Sequence, residues 1–155
     1  MRRLLVIALA AAVLGVPVNV EPQGTGAQAA PVPAPSLYKR LGGYDALAAV
    51  TDDFIGRLAA DAQIGRFFKG HSTNSLHRIR QLIVDQLCNV TGGPCLYVGR
   101  DMKTTHAGLG ITEQDWTSSV NHLVATLDKF KVPAKEKDEV LAAISSLKKD
   151  IVEKP

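Results

Sequence analysis

The sequence lacks the short motifs that mark several classes of enzyme and metal protein. It has no H-E-x-x-H zinc motif, no pair of C-x-x-C ligand arms, no glycine-rich phosphate loop and no nucleophile elbow. Its two cysteines, Cys88 and Cys95, are too few for a disulfide-rich scaffold, and the C-x-x-C-H attachment sequence of c-type haem is absent. In an exported protein the two form one disulfide or remain two half-buried thiols, and the sequence leaves both readings open.

A long apolar span and a one-sided charge are also missing. The apolar run at residues 4–16 is shorter than the roughly 20 residues that a membrane-spanning helix needs. The formal net charge is +3, basic and acidic residues are interspersed, and no basic stripe carries aromatic residues suited to base stacking. We therefore expect no nucleic-acid partner.

The first 35 residues have the features of processing and spacer segments. Met1-Arg2-Arg3 is positively charged, the apolar run follows, and Ala27-Gln28-Ala29 has the A-x-A shape of a signal-peptidase site. We assign residues 1–29 to a signal peptide, 30–35 to a proline-rich spacer and 36–155 to one domain. This predicts a periplasmic or secreted protein with no stable membrane insertion after cleavage. An uncleaved N-terminal membrane anchor is the alternative.

Apolar residues in the domain recur with the spacing of helix faces. Four long helical segments follow from this periodicity, and no stretch alternates with period two for long enough to predict a strand. Thr112 to Asp115 resembles a capping box that begins the third segment, and Pro133 begins the fourth. The apolar faces are Leu47, Val50, Phe54 and Leu58; Leu76, Ile79, Ile83, Leu87 and Val90; Trp116, Val120, Leu123 and Leu127; and Val140, Ile144, Leu147 and Ile151. The predicted fold class is all-α.

The segment at residues 91–110 is rich in glycine, lacks periodicity and leads to His106. Loops of this length inside a compact domain are usually functional or disordered. A single neutral imidazole can hold haem iron when apolar helices enclose the macrocycle and one axial side stays open. A helical domain with Phe67-Phe68, a glycine-rich loop and one histidine on a short segment meets those requirements.

From Ser36 onward the sequence resembles the truncated haemoglobins, and its motifs resemble the group I branch. Residues 36–43, SLYKRLGG, are similar to the family's short first helix and double-glycine turn, and Gly92-Gly93-Pro94 matches its second glycine pair. The most specific match is Tyr97-x-Gly-x-x-Met102, followed by His106 and glycines. The resemblance implies a two-over-two helical sandwich that encloses haem b and binds O2, CO or NO.

The resemblance also implies roles for individual residues. His106 would be the proximal iron ligand, and Phe68 would pack against the haem. Arg100 and Lys103 would pair with the haem propionates, and the alternative for these two is a solvated loop charge. The implied haem-contacting residues are Phe68, Ile79, Ile83, Tyr97, Arg100, Met102, Lys103, His106 and Ile111.

The distal side departs from the family pattern. Group I members usually carry a tyrosine directly after the phenylalanine of the second helix, and this chain has Ile55 after Phe54. A gap-free alignment of the next helix with the second glycine pair places Ile79 and Ile83 over the haem. We therefore expect an apolar distal pocket formed by these four residues.

The register of that helix leaves alternatives open. A slip of three residues would bring Leu76 and Arg80 over the haem instead. His71, on the polar connection before the helix, is a candidate sixth ligand, and His77 could reach the iron only with a further shift. We expect His122 to be structural or at the surface.

Together these features predict a haem protein that binds a diatomic gas reversibly, for storage, delivery or scavenging. The alternative is an enzyme on the same scaffold, a NO dioxygenase or a weak peroxidase, working with an unidentified reductase. Both reactions benefit from distal polar groups, which the predicted pocket lacks. A haem-free helical interaction module is a third hypothesis, and the proximal motif disfavours it.

Overall fold

The computed structural model describes residues 33–154 of the chain. In this range the chain is helical, and its β-type pairing is limited to an isolated bridge between Thr112 and Lys154, so the expected all-α fold is confirmed. The predicted signal peptide, residues 1–29, lies outside the described residues. No described helix combines the length and the apolar character that a membrane span requires. The helices are α1 (Leu37–Arg40), α2 (Gly43–Ala60), a 3₁₀ helix (Ile64–Phe68), α3 (Thr73–Val90), α4 (Met102–His106), α5 (Glu113–Lys129), α6 (Ala134–Ser145) and α7 (Lys148–Ile151).

Polar side chains fix where several helices begin. Before α3, the hydroxyl of Ser72 accepts a hydrogen bond from the amide of Ser75 at 3.2 Å. Before α5, the hydroxyl of Thr112 accepts from the amide of Asp115 at 3.1 Å, and the Asp115 carboxylate accepts from the amide of Thr112 at 2.9 Å. Each side chain satisfies an amide that the helix leaves without a partner. The predicted capping box is confirmed.

The buried core consists of two clusters that share α2. The predicted apolar face of α2 is confirmed, because Leu47, Val50 and Leu58 are buried and Phe54 packs against the first cluster. α2 is therefore the central helix, in contact with α3 on one side and α5 on another. The buried members are Val50, Leu123, Leu127 and Val140 in the first cluster and Leu47, Leu87 and Cys88 in the second.

The buried face of α3 differs in part from the predicted one. Its buried positions are Val84, Leu87 and Cys88, whereas Ile79 and Ile83 are half buried. Ile83 still packs against the second core cluster, which α2 and α3 form together. Part of the apolar surface of Ile79 and Ile83 is nevertheless left exposed.

The C-terminal helix is shorter than predicted. Instead of one helix from Pro133 to Ile151, the chain leaves α6 at Ser145 and forms the separate helix α7, and Pro133 caps α6 from outside. At the break, the hydroxyl of Ser146 donates to the carbonyl oxygen of Ala143 at 2.7 Å. Serine side chains that bond to the nearby backbone compete with helical structure. After the break, α7 packs against α4.

A buried carboxylate, Asp115, connects the 3₁₀ helix to α5. It is 1% exposed and accepts hydrogen bonds from Nε2 of Gln63 at 2.6 Å and Nη2 of Arg66 at 2.7 Å, besides its bonds with Thr112. Burial raises the pKa of Asp115, but the bonds from Thr112, Arg66 and Gln63 outweigh burial and place it well below the usual aspartate range. Because Phe68 ends the same 3₁₀ helix, this network also fixes the corner that carries Phe68.

We predict that Asp115→Asn lowers the free energy of unfolding by about 2 kcal/mol at pH 7, because a charged acceptor of several hydrogen bonds is lost from a buried site. The folded-state pKa of Asp115 is lowered, so its contribution is complete above the unfolded value of about 3.9 and is lost as the pH falls below that value. In urea unfolding curves, the difference between wild type and variant should therefore shrink by about 1 kcal/mol between pH 7 and pH 3.

The matched control for this prediction is Asp138→Asn. Asp138 is an exposed carboxylate on α6 that forms no hydrogen bond or ion pair within residues 33–154. Its substitution should change neither the curve at pH 7 nor the curve at pH 3. An Asp115→Asn difference that stays constant over this pH range contradicts the prediction.

Candidate functional site

His106 is the last residue of α4, a helix of five residues, and its side chain is half buried. Asp101 begins this helix: its carboxylate accepts from the amide and from the hydroxyl of Thr104, both at 2.8 Å. The hydrogen bond from the Thr104 backbone amide is the main reason why the pKa of Asp101 lies below its usual range. Because so short a helix is not stable in water alone, its caps and its packing contacts determine where His106 lies.

The imidazole of His106 has one nitrogen available to a ligand. Its Nδ1 lies 2.7 Å from the carbonyl oxygen of Met102, one turn earlier on α4. A carbonyl oxygen only accepts hydrogen bonds, so Nδ1 carries the hydrogen and Nε2 of the neutral ring has a free lone pair. Histidines that ligate metals usually donate their other ring nitrogen in this way. The donor set therefore fits a metal bound through Nε2, and it suits haem iron.

The loop before α4 is anchored to the end of α3. Cys88 and Cys95 form a disulfide with their Cα atoms 5.7 Å apart, and the side-chain amide of Asn89 donates to the carbonyl oxygen of Cys95 at 3.2 Å. A Cβ atom on Gly93, between the cysteines, would lie 2.6 Å from the Cys88 sulfur and 2.5 Å from the ring of Tyr38. This position therefore requires glycine. The sequence left a disulfide and two separate thiols as alternatives, and the structure has the disulfide.

Tyr97, Arg100 and Lys103 surround the start of α4. The hydroxyl of Tyr97 donates to the carbonyl oxygen of Arg100 at 2.7 Å, which closes the turn before the helix. The side chains of Arg100 and Lys103 are exposed, and neither forms an ion pair with another residue of the described part of the chain. Both side chains are therefore accessible to an anionic ligand and to water, which agrees equally with pairing to haem propionates and with solvated loop charges.

The candidate distal residues lie on two neighbouring helices. Phe54 and Ile55 are adjacent on α2, Ile79 and Ile83 are one turn apart on α3, and all four are half buried. Phe54 packs against the first core cluster and Ile83 against the second. Phe68, at the end of the 3₁₀ helix, is also half buried. The four helix positions offer apolar surface and no charged or hydrogen-bonding side chain.

Arg80, which the shifted register would bring over the haem, is engaged elsewhere. Its guanidinium forms two hydrogen bonds with the carboxylate of Asp52 on α2, at 2.7 and 2.9 Å. This contact holds the pKa of Asp52 below its usual range. His71 and His77, the candidate sixth ligands, are exposed. The Arg80 contact favours the unshifted register.

His122, on α5, contacts Asp61, the residue that follows α2. Its Nε2 is 2.8 Å from the carboxylate of Asp61, which also accepts from the amides of Ile64 at 2.8 Å and Gln63 at 2.7 Å. The Ile64 amide is the main cause that lowers the pKa of Asp61, followed by the contact with His122. His122 therefore stabilises the start of the 3₁₀ helix.

An apolar cavity of about 100 Å³ lies in the core, between α2, the end of α3 and the end of α5. Its walls include Leu47, Leu87, Leu123 and Phe130, and no residue of α4 lines it. It is therefore separate from the histidine site.

Two carboxylates near His106 were missed by the sequence analysis. Asp101, three residues before Thr104, has the spacing of a helix cap, and that signal could have identified it. Glu153 accepts from the amides of Gly108 and Gly110, which lie 45 and 43 residues away in the sequence, so no local pattern predicts it.

Comparisons with known proteins agree with this geometry. Residues 36–153 match the family model described as bacterial-like globin. The chain is 36% identical over 116 residues to the group 1 truncated hemoglobin GlbN of Mycolicibacterium paratuberculosis, an alignment that covers 75% of this chain and 83% of the relative. It is 29% identical over 119 residues to the group 1 truncated hemoglobin of Tetrahymena pyriformis, covering 77% of this chain and 96% of that one.

Solved structures show the same likeness. The crystal structure of the Tetrahymena pyriformis truncated hemoglobin, in the Fe(III) form, matches with a TM-score of 0.70 and 28% identity, over 76% of this chain and 98% of that one. The 2/2 hemoglobin of a Synechococcus species, in the cyanomet state and with covalently attached heme, matches with a TM-score of 0.69 and 27% identity, over 76% and 98% of the two chains. The fold is therefore the two-over-two helical arrangement.

Proposed function

The chain belongs to the bacterial-like globin family, among the truncated haemoglobins, and from that premise we propose that it binds haem b through His106 and takes a diatomic gas at the iron. Membership of the family implies haem-based ligand binding. The observation that carries the assignment of His106 is the hydrogen bond from its Nδ1 to Met102, which leaves Nε2 as the ligating atom. Bound haem would supply the iron that takes O2, CO or NO.

The residues that we assign to the haem site suit a large apolar group with an anionic edge. Phe68, Met102 and Tyr97 are half buried, and Ile111 is 8% exposed. Such side chains exclude water from the apolar part of the macrocycle. We propose that the exposed cations near α4, Arg100 and Lys103, pair with the propionates, because a charge-assisted hydrogen bond forms readily between a cation and a carboxylate.

The distal side supports reversible binding more than catalysis. The proposed pocket of Phe54, Ile55, Ile79 and Ile83 is apolar, and it offers no group that could stabilise a charged oxygen species. A NO dioxygenase or a weak peroxidase would need such a group and a reductase. We therefore favour gas binding for storage, delivery or scavenging.

We predict that His106→Ala, purified from cells and reconstituted with haem, loses most of its haem, because the only group on α4 with a free imidazole nitrogen is removed. Added imidazole should restore the Soret band by occupying the vacated position. His122→Gln is the control, since it changes the other half-buried histidine and leaves a side chain able to reach Asp61. Full haem retention by His106→Ala with an unchanged spectrum would contradict the assignment of His106 as the iron ligand.

We predict that Ile55→Tyr slows O2 release by roughly 10- to 150-fold, because a hydrogen bond to a partly charged ligand is worth about 1.5–3 kcal/mol. CO stays nearly apolar, so its release should change little. Ile55→Phe is the matched control: it adds the same ring without the hydroxyl and should leave O2 release fast. Stopped-flow displacement of O2 and CO measures both rates. If the wild type already holds O2 tightly and Ile55→Tyr changes nothing, another donor occupies the pocket.

We also propose that the protein is exported to the periplasm or secreted. The proposal is supported by the signal-like order of residues 1–29 and by the disulfide between Cys88 and Cys95, a bond that persists in oxidising compartments.

Intact-mass spectrometry of material from the producing cell tests cleavage and disulfide together. We expect a chain that begins near Ala30 and weighs two hydrogen atoms less than the fully reduced form. Reduction with a thiol should restore those two hydrogens. A membrane-bound chain that starts at Met1 supports the anchor alternative, and two free thiols in exported material rule out the disulfide.

A further inference from the structure

We propose that Glu153 is a positioning residue for His106, because its carboxylate anchors the loop that directly follows the ligand. The inference rests on the proposed function, since it concerns how the iron ligand is held. Residues 107–112 join α4 to α5 outside both helices, so their backbone amides need acceptors beyond the helical ladder. The amide of Gly108 donates to Oε1 of Glu153 at 2.7 Å, and the amide of Gly110 donates to Oε2 at 2.5 Å.

The two glycines make this double contact feasible. Their φ angles are +82° at Gly108 and +66° at Gly110, a backbone conformation that residues with a Cβ rarely adopt. In this conformation both amides point at one carboxylate, and each of its two oxygens is used. The bond from Gly108, followed by the bond from Gly110, holds the pKa of Glu153 below its usual range.

The backbone of Glu153 and Lys154 forms further hydrogen bonds with the same loop and with the start of α5. The amides of Glu153 and Lys154 donate to the carbonyl oxygen of Ile111 at 2.9 and 3.1 Å. The amide of Glu113 donates to the carbonyl oxygen of Lys154 at 3.2 Å. Since α7 also packs against α4, the C-terminal segment holds both the ligand helix and the loop after it.

His106 depends on these anchors because its helix has only five residues. Asp101 holds the start of α4, and Glu153 holds the chain two residues beyond its end. Without the Glu153 carboxylate, the ring stays bonded to Met102, but the end of α4 can turn and Nε2 no longer has one fixed direction. Groups that orient a ligand without touching the metal typically change metal affinity by 10–100-fold.

The test uses the full domain in three forms besides the wild type. Glu153→Ala removes both acceptors. Glu153→Gln keeps one carbonyl oxygen and replaces the other acceptor by an NH2 group that cannot accept. Asp138→Ala is the control, because it removes an exposed carboxylate without a hydrogen bond in the described range. Glu153→Gln also keeps the test decisive if Glu153→Ala fails to fold.

Three measurements are made on each form of the protein. Amide hydrogen exchange at Gly108 and Gly110, recorded before haem is added, should accelerate in Glu153→Ala. Transfer of haem to excess apomyoglobin should become about 10–100-fold faster. The iron–histidine stretching band of the dithionite-reduced protein, measured by resonance Raman spectroscopy, should shift and broaden. Glu153→Gln should lie between wild type and Glu153→Ala, and Asp138→Ala should match the wild type.

The outcomes separate this inference from the proposed function. A wild-type protein that takes up no haem through His106 overturns the proposed function, and this inference with it. Wild-type haem binding with an unchanged iron–histidine band and unchanged haem transfer in both Glu153 variants overturns the inference alone. A loss of stability in Glu153→Ala without a change in that band would show a purely structural contact and would also overturn it.

Discussion

The hydrogen bond from Nδ1 of His106 to the carbonyl of Met102 makes the direction of the imidazole depend on the orientation of α4. A helix of five residues does not hold its own shape in water, so its orientation comes from the groups at its ends. On one side these are the Asp101 cap, the turn closed by Tyr97 and the disulfide between Cys88 and Cys95. On the other side the chain enters a glycine-rich loop whose Gly108 and Gly110 amides are held by the Glu153 carboxylate. The surrounding structure is therefore organised around a short element that it must hold from both ends.

The fold was accessible from the sequence because its signals are local. Helix periodicity in α2 and the Thr112–Asp115 box depend on residues three or four positions apart, and the structure confirms both. The break before α7 was not predicted, because the apolar spacing continues across it while the hydroxyl of Ser146 bonds to the backbone instead.

The candidate site could be predicted only in part, because some of its contacts join residues that are distant in the sequence. His106 stands out by its motif, whereas Glu153 acts on glycines more than 40 residues away and leaves no periodic trace. The register of α3 also depends on a distant partner, because the contact between Arg80 and Asp52 joins two helices. The spacing of residues along one helix does not show which neighbouring helix packs against it. It therefore left the distal pocket with two registers, and we propose the one with Ile79 and Ile83, in which Arg80 pairs with Asp52.

The start of α5 is where the two sides of the proposed haem site meet. The Asp115 carboxylate connects this helix end to Gln63, which precedes the 3₁₀ helix that carries Phe68, and to Arg66 within that helix. One residue before α5 and one residue into it, the chain pairs with Lys154 of the C-terminal segment. The two anchors differ in strength, because Asp115 is 1% exposed, whereas Glu153 is exposed and its bonds are weakened by solvent. The corner that carries Phe68 is thus fixed more firmly than the loop that follows His106.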